Sequence, residues 1–442
     1  MRTTVGTAPP KADFNWYWTS QTASFVGDRL TGFAVPSIAI LTLDATSAQV
    51  GILSAIGWLA YPTLGLVAGA ALTHLPRRKV MITGELTRFA LFTTIPLTAL
   101  AGWVTIPQLL IVVALAGIAT VFVDIAGQSY LPVVVPPGAL VTANASLQSS
   151  DSLSKLTGPA LAGLSLKLTG PYYGLLLSAL PFLASALTRT RIQTLEPTAT
   201  PGAAPSRERS EAGHPSPGLQ ATSPEARALS PAVASPQAMR RRIAVGLRFV
   251  MDHEVLKPLV IGAAVRSFGT GMVDAVLLLF AYRALGLSSL QGGLLIAAGS
   301  IGGLLGAFAA NRLVDRFGTH RTLLLTGLEG VFWLAIPVSL VFAPAIVLVV
   351  IRVCASIWSP VWNVLTTSVR QNVTPADLQS TVHATARTVT SSTIPLGALT
   401  GGFAAGVLGG QLGTSTGLVL VLATGGAITG ASVLSIRRSS QA

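Results

Sequence analysis

The sequence contains twelve apolar stretches, each long enough to cross the hydrocarbon core of a membrane as an α-helix. Only 10% of the residues are charged, whereas soluble domains carry about 25%. We therefore predict an all-α membrane protein built from two six-helix bundles. The stretches run over 16–41, 51–72, 80–100, 109–131, 145–168 and 172–187 in the first half, and over 258–282, 292–310, 322–342, 345–364, 382–408 and 413–436 in the second.

Basic residues are distributed unevenly between the two sets of loops that connect these stretches. Loops rich in Lys and Arg stay on the cytoplasmic side of a membrane. We therefore expect both termini in the cytoplasm and a multi-pass location in a bacterial inner membrane. One set of loops holds Arg77, Arg78, Lys79, Arg312, Arg316, Arg321, Arg437 and Arg438, whereas the opposite set holds little beyond Asp44, Lys167 and Arg283.

A segment rich in Pro, Ala and Ser separates the two groups of helices. Such a composition buries too little apolar surface to fold alone, so we interpret residues 189–257 as a cytoplasmic linker. Basic and apolar residues alternate at helical spacing over 239–250, which fits either an amphipathic helix on the anionic inner leaflet or a solvated tether. The predicted division is a tail over 1–14, bundles over 15–188 and 258–436 on either side of the linker, and a tail over 437–442.

Several other functional classes find no support in the sequence. The net charge of +13 is spread over loops rather than gathered in one patch, which argues against a nucleic-acid partner. There is no glycine-rich phosphate loop ending in Lys-Ser or Lys-Thr, the five histidines lack metal-ligand spacing, and Cys354 is the single cysteine. We therefore predict neither an enzyme nor a cofactor or metal site, and we expect a monomer without disulfides.

The two halves are related by an internal repeat. The Ser-Phe dipeptide at 24–25 corresponds to the one at 267–268, a displacement of 243 residues. The loop over 71–79 corresponds to the loop over 313–321, with a displacement of 242 residues. Two parallel six-helix repeats are one architecture of secondary transporters, which expose a midplane site alternately to each side.

At these two loops the sequence resembles the major facilitator superfamily, whose signature after its second helix reads G-x-L-x-D-R-x-G-R-R. The first copy has Thr73 in place of the acid and Pro76 in place of a glycine. The resemblance implies a charged gate that forms in one state and breaks in the other. The same basic residues could serve only to set topology. Matching residues are Leu313, Asp315, Arg316 and Gly318 in the second copy, and Gly69, Arg77 and Arg78 in the first.

Within that superfamily the chain resembles the drug-efflux branch that includes macrolide and siderophore exporters. The pair Gly158-Pro159, followed by Gly163, is similar to the antiporter motif of the superfamily's exporters. The resemblance therefore implies export, although an ordinary packing kink explains the same pair. The stretches that carry this resemblance are 21–29, 34–36, 131–132, 143–145, 158–163, 374–375 and 395–402.

Few ionisable residues lie inside the apolar stretches. Each costs roughly 2.5 to 3.5 kcal/mol on insertion scales, so each requires a partner, a wet cavity or a function. Glu85 with Arg88 has i, i+3 spacing and Asp151 with Lys155 has i, i+4 spacing, so each pair can neutralise itself on one helix face. We interpret both pairs as structural.

Asp28 differs from these paired acids. Its neighbour Arg29 points about 100 degrees away around the helix and cannot fully satisfy it. A carboxyl group in a desolvated cavity can load a proton from one side and release it to the other. We therefore predict Asp28 as the proton-coupling acid, with Asp124 and Asp274 as alternates. The structural alternative is a permanent ion pair between Asp28 and a basic residue of another helix.

A drug-sized substrate requires an apolar cavity with a few polar groups. Tryptophans that could line it also serve as interfacial anchors. The hypothesis is a proton-coupled exporter of a small hydrophobic molecule such as a drug, antibiotic or siderophore. An importer of the same fold and a non-transporting receptor are the alternatives. The candidate cavity residues are Arg29, Trp58, Tyr61, Trp358, Trp362 and Asn363.

Overall fold

The computed structural model describes residues 11–72, 75–136, 138–194, 247–375 and 378–437. These residues form twelve long helices and no β-strand, which confirms the predicted all-α membrane fold. The helices are α1 (Lys11–Leu41), α2 (Ser47–Ala71), α3 (Arg77–Leu100), α4 (Ile106–Val134), α5 (Leu140–Thr169), α6 (Pro171–Arg189), α7 (Leu256–Ala284), α8 (Ser289–Phe317), α9 (Thr319–Leu340), α10 (Pro344–Val373), α11 (Gln379–Leu412) and α12 (Thr414–Ile436).

Within the described part of the chain, eight of these helices are long and apolar enough to cross a membrane, namely α4 and α6 to α12. The remaining four, α1 to α3 and α5, have 24 to 31 residues. Three of those four contain the charged groups that are described below. The first bundle therefore carries most of the polar groups buried at membrane depth.

Two helices of the second bundle are interrupted where proline removes a backbone donor. In α9 the regular helix stops at Leu334, and Pro337 lies in the 3-10 turn that follows. In α10 the break falls at Ile357, three residues before Pro360.

The helices form two bundles of six. In the first, α1 packs against α5 and α6, and α3 packs against α4 and α6. In the second, α7 packs against α11 and α12, and α8 packs against α10. Extensive contacts between α2 and α11 and between α5 and α8 join the bundles. These two helix pairs are equivalent under the internal repeat, since α8 corresponds to α2 and α11 to α5.

Glycines allow the backbones to approach closely at both of these contacts. Between α2 and α11, a Cβ atom on Gly51 would lie 2.8 Å from the Cα atom of Gly402. Between α5 and α8, a Cβ atom on Gly293 would overlap the carbonyl oxygen of Pro159, and one on Gly163 would overlap the backbone of Ser289. Larger side chains here would force the bundles apart.

The contacts between the bundles gather on one side of the molecule. Because twelve helices each cross the bundle once, Lys11 and Arg437 lie on the same side, which we call the terminal face. The opposite side is the distal face. The four glycines at the bundle contacts lie in the halves of their helices nearest the distal face.

Two polar contacts reinforce the junction at the distal face. The hydroxyls of Ser37 in α1 and Tyr282 in α7 are 2.8 Å apart. Arg283 donates a hydrogen bond to the carbonyl oxygen of Ala45, also at 2.8 Å. The described structure therefore has its bundles joined toward the distal face.

The first bundle extends into the segment predicted as a linker. Helix α6 continues to Arg189, and Asp13 of α1 accepts a hydrogen bond from the backbone N–H of Thr194 at 2.7 Å. Of the predicted amphipathic helix, residues 239–246 lie outside the described residues, whereas residues 247–252 are helical. The chain around 190–194 therefore packs on the bundle before the described part ends.

We predict that Gly306→Ala destabilises the second bundle by about 1 to 3 kcal/mol. A Cβ atom at Gly306 of α8 would overlap the carbonyl oxygen of Ile357, a backbone atom that cannot move unless α10 shifts. Gly406→Ala is the matched control because no atom lies within 4 Å of its Cβ position. Thermal unfolding of the detergent-purified variants measures the difference, and equal midpoints would contradict the prediction.

Candidate functional site

A buried network of charges joins α1, α3 and α6. The Arg88 guanidinium donates to the carboxylate of Asp28 and lies 3.3 Å from that of Glu85. Arg189 lies 3.2 Å from the other oxygen of Glu85. Two carboxylates and two guanidiniums alternate, so their formal charges cancel. The Asp28 side chain is 32% exposed whereas the other three are at most 1% exposed, so Asp28 is the member that solvent reaches.

Two further contacts stabilise the buried charges of Glu85 and Arg88 at the centre of this network. The hydroxyl of Ser185 donates to Glu85 at 3.1 Å, and the guanidinium carbon of Arg88 lies 4.0 Å from the centre of the Phe182 ring. The predicted contact between Glu85 and Arg88 is present, but Arg88 also holds Asp28. A basic residue of another helix is thus the partner of Asp28, which is the structural alternative that the sequence left open.

The second bundle contains a corresponding buried pair. Arg266 of α7 donates to the carboxylate of Glu329 in α9. Glu329 lies 244 residues after Glu85, close to the repeat displacement, so each bundle buries a glutamate of its third helix. The guanidinium carbon of Arg266 lies 5.3 Å from the centre of the Trp362 ring. Trp362 is only 2% exposed, so it packs in this core rather than lining an open cavity.

Asp274 also has a basic partner. Its carboxylate lies 3.5 Å from Arg352, which joins α7 to α10. The Arg352 guanidinium carbon in turn lies 5.8 Å from the centre of the Trp333 ring. Two of the three acids predicted for proton coupling, Asp28 and Asp274, are therefore already in ion pairs.

Asp124 of α4 is the third of these acids, and its environment differs. Among the described residues no basic group lies within ion-pair distance of its carboxylate. Its Oδ2 atom accepts a hydrogen bond from the Tyr61 hydroxyl of α2 at 2.9 Å. A carboxyl group with a neutral partner can exist with or without a proton at lower cost than one held by a guanidinium.

Asp124 lines a cavity of about 560 Å³ between α1, α4 and α5. Its lining residues lie in the halves of these helices nearest the terminal face, so the cavity is on that side. Pockets of this volume accommodate drug-sized molecules. The lining is more polar than the sequence suggested, since it includes Gln21, Asp124, Gln128, Asn144, Gln148 and Asp151 beside the rings of Tyr17 and Phe25.

Two cations share the second carboxylate of this cavity. Asp151 lies 2.8 Å from Arg29 and 2.5 Å from Lys155. The pair with Lys155 has the predicted i, i+4 spacing, and Arg29 of α1 adds a second cation. Within the described residues the Nε atom of Arg29 is buried without a hydrogen-bond partner. The cluster therefore carries one excess positive charge.

The other residues predicted to line the substrate cavity lie elsewhere in the structure. Tyr61 reaches the cavity through its hydrogen bond to Asp124. Trp58 is 53% exposed on α2, and Asn363 is exposed on α10. The indole N–H of Trp358 is buried without a partner among the described residues.

The basic residues of the first signature loop tie together the first bundle. Arg77 donates to the carbonyl oxygen of Ser129 at 3.2 Å. Arg78 donates to the carbonyl oxygens of Arg189 at 3.2 Å and Thr190 at 2.5 Å. These bonds anchor the start of α3 to the ends of α4 and α6, where carbonyl groups lack helical partners.

The second signature loop is more open. Asp315 and Arg316 are exposed at the end of α8, and Gly318 has a φ of +75°, which lets the chain turn directly into α9. Gly69 lies near the end of α2 with no atom within 4 Å of its Cβ position. Thr73 of the first loop lies outside the described residues.

The glycine and proline residues of α5 lie at helix contacts. A Cβ atom at Gly158 would overlap α1, and the carbonyl oxygen of Pro159 faces Gly293 of α8. The hydroxyl of Ser289 donates to the carbonyl oxygen of Gly163 at 3.2 Å. Helix α5 nevertheless continues through Pro159 to its end. The motif therefore contributes to the junction between the two bundles.

A basic cluster on the second bundle was not anticipated from the sequence. Nη2 of Arg370 in α10 lies 3.1 Å from Nδ1 of His383 in α11. Arg387 follows one helical turn after His383 and is exposed. The i, i+4 spacing of His383 and Arg387 could have indicated a shared helix face, but only the fold brings Arg370 beside them.

Comparison with known proteins identifies the family. The profile of the Major Facilitator Superfamily matches residues 17–398. A relative from Bacillus subtilis (strain 168), described as the uncharacterized MFS-type transporter YvqJ, is 25% identical over 423 residues, which cover 93% of this chain and 91% of the relative.

Solved transporter structures share the fold over nearly the whole chain. A bacterial homologue of the iron transporter ferroportin, in its inward-facing state, has a TM-score of 0.71 at 16% identity, covering 97% of this chain and 98% of that one. An inward-facing, occupied bacterial homologue of the human lysosomal transporter Spinster has a TM-score of 0.71 at 14% identity, covering 99% and 98%. The outward-facing ferroportin homologue has a TM-score of 0.55 at 16% identity, covering 97% and 100%. The profile match and the twelve-helix fold show that this chain belongs to the Major Facilitator Superfamily and is a multi-pass membrane transporter.

Proposed function

We propose that the protein exports a small amphipathic molecule in exchange for protons, as a monomer in a bacterial inner membrane. The observation that carries the proposal is the carboxylate of Asp124, which lines the cavity and is held by Tyr61 rather than by a cation. A group of this kind can bind a proton in one state of the transporter and release it in the other. The exchange requires the cavity to open to each side in turn.

The proposed direction rests on the charges of the loops and on α5. Loops at the terminal face contain the arginines that favour a cytoplasmic location, for example Arg77, Arg312 and Arg321. With the terminal face in the cytoplasm, the cavity collects its substrate there. The resemblance of Gly158-Pro159 to the antiporter motif favours release on the opposite side.

The junction between α5 and α8 supports a rocking mechanism. Backbones pack against each other at Gly163 and Gly293. Contacts of this type can separate as a unit, because they break few hydrogen bonds and require no rearrangement inside either bundle. The buried ion pairs within each bundle would keep each one rigid during the movement.

We predict that Asp124→Asn lowers pH-gradient-driven export by at least about tenfold, because the amide cannot carry the proton. Asp315→Asn is the control, since Asp315 is an exposed acid at the end of α8. In everted vesicles with an acidic lumen, export would be measured as accumulation of an externally added fluorescent amphipathic molecule, because the cytoplasmic face of these vesicles is outside. Undiminished export by Asp124→Asn would remove this residue from the mechanism, and gradient-driven release from preloaded vesicles in place of accumulation would favour an importer.

Asp28→Asn is expected to act mainly on stability. It removes one carboxylate from Arg88, which retains Glu85 as a partner, so we expect a loss of about 1 to 3 kcal/mol. Thermal unfolding in detergent would show this loss. If the variant kept wild-type stability but lost pH-gradient-driven export, Asp28 rather than Asp124 would be the proton carrier.

Gly163→Val is predicted to hold the bundles apart at the distal face and to abolish transport, because its side chain would overlap Ser289. Ser37→Cys in a Cys354→Ser background reports the opening, since Ser37 is 1% exposed in the described state. An impermeant maleimide should label this cysteine faster in Gly163→Val than in the control Gly406→Val. Equal labelling rates would show that the α5–α8 contact does not control access.

A further inference from the structure

The hydrogen bonds of the side chains that line the cavity between α1, α4 and α5 show which of their atoms remain free. Nη2 of Arg189 donates to Oε1 of Gln21 at 2.8 Å. A guanidinium only donates, so this bond orients the amide and leaves its nitrogen, Nε2, without a protein partner among the described residues. Gln21 is 6% exposed and lines the cavity, so this free donor belongs to a side chain that its neighbours hold in place.

Two other side chains of the cavity present free acceptors. Nδ2 of Asn144 donates to the carbonyl oxygen of Leu140 at 2.8 Å, which leaves Oδ1 of this exposed amide free. Oδ2 of Asp124 accepts from Tyr61, and its Oδ1 atom has no hydrogen-bond partner within the described part of the chain. The cavity therefore offers both accepting oxygens and a donating nitrogen, with orientations that the protein sets.

Two further amides are free to donate and to accept. Gln128 of α4 and Gln148 of α5 line the cavity, are exposed, and make no side-chain hydrogen bond with any described residue. An amide side chain carries one accepting oxygen and one donating nitrogen. A ligand that displaces water from such groups loses affinity unless it replaces the hydrogen bonds that water made.

The formal charges around the cavity cancel when Asp124 is ionised. Asp124 contributes one negative charge, and Asp151 contributes a second. Arg29 and Lys155, which both contact Asp151, contribute two positive charges. The sum over these four groups is zero, so the overall charge of the cavity favours neither an anion nor a cation.

The free hydrogen-bonding groups distinguish between classes of ligand. An ammonium group only donates, so it leaves the Gln21 donor without a partner. A carboxylate group only accepts, so it leaves the free oxygens of Asp124 and Asn144 without one. A hydroxyl group both donates and accepts, and several hydroxyls on one molecule can satisfy both kinds of group at once. Each group left unsatisfied by a bound ligand lowers the affinity.

We propose that the transported molecule is uncharged and carries several hydroxyl groups on an apolar body, as in a glycoside. Its hydroxyls bind Asp124, Asn144 and the glutamine amides of the cavity, and its apolar part contacts Phe25 and Leu147, which also line the cavity. This inference rests on the proposed function, because it names the substrate class of the same cavity. A hydroxyl that donates to the ionised Asp124 forms a charge-assisted hydrogen bond, which is stronger than a neutral one.

The test compares binding of one fluorescent scaffold that carries different polar groups. Methylumbelliferyl β-glucoside is uncharged and carries a full set of sugar hydroxyls. The glucuronide of the same coumarin is an anion, its derivative with an amine in place of the primary hydroxyl is a cation, and ethoxymethylcoumarin has no hydroxyl. The corresponding galactose derivatives form a second set with a different arrangement of hydroxyls. Equilibrium dialysis against the full chain in lipid nanodiscs, at neutral pH without a gradient, measures affinity independently of transport and proton coupling.

We expect at least one uncharged glycoside to bind about tenfold tighter than its charged derivatives and than ethoxymethylcoumarin. Gln128→Leu and Gln148→Leu should each weaken its binding by about fivefold, because each removes a donor and an acceptor from the cavity. Gln411→Leu is the matched control, since Gln411 is an exposed amide at the distal end of α11. Thermal unfolding would verify that the three variants are folded.

The two proposals fail in different ways. If glycoside binding follows this pattern but a pH gradient drives no export, the proposed function is wrong and the substrate class is supported. If the amine derivative binds as tightly as its glycoside, the ligand is an organic cation and the inference is overturned. Absence of a preference for the uncharged glycoside in both sets would also overturn it, as would equal glycoside binding by the glutamine variants and Gln411→Leu.

Discussion

The structure depends on the cost of placing charge inside a membrane. Glu85 lies at the centre of the first bundle between the guanidiniums of Arg88 and Arg189, and through them α1, α3 and α6 are held together. Removal of any one member would leave an uncompensated charge in a region where water cannot screen it. The internal repeat places Glu329 near the corresponding position, where it performs the same task with a single arginine. Each bundle therefore has its own electrostatic centre, which in the proposed mechanism would keep the bundle rigid as it moves.

Contacts between the bundles are of a different kind. They consist of close backbone approaches at Gly51 and Gly402 and at Gly163 and Gly293, with a few hydrogen bonds near the distal face. Dispersion forces between closely packed backbones are strong enough to hold one state and are lost without stranding a charge. This division, with charges inside the bundles and glycines between them, is what a transporter that alternates between two arrangements requires.

The candidate functional site follows from the same cost of burying charge. Asp28 was predicted as the proton-coupling acid because Arg29 cannot fully satisfy it, with Asp124 and Asp274 as alternates. Arg88 and Arg352 reach Asp28 and Asp274 from other helices. Asp124 had no distinguishing feature in the sequence, and among the described acids of the membrane helices it is the one whose partner is a tyrosine rather than a basic residue. Sequence spacing predicts pairs within one helix, such as Asp151 with Lys155. Sequence spacing does not predict pairs between helices, because these depend on how each helix is rotated about its axis and on its depth in the membrane.

The sequence by itself determined the fold class, the twelve crossings, the two-fold repeat and the membrane face toward which the basic loops gather. These properties follow from hydrophobicity, helix length and loop charge, each of which is local in the chain. Only the tertiary structure decided which acid has no basic partner among the described residues, and that Trp362 is a core residue. Those outcomes depend on side chains far apart in the chain, such as Asp28 with Arg88 and Arg266 with Trp362, and packing of the helices in three dimensions is what brings them together.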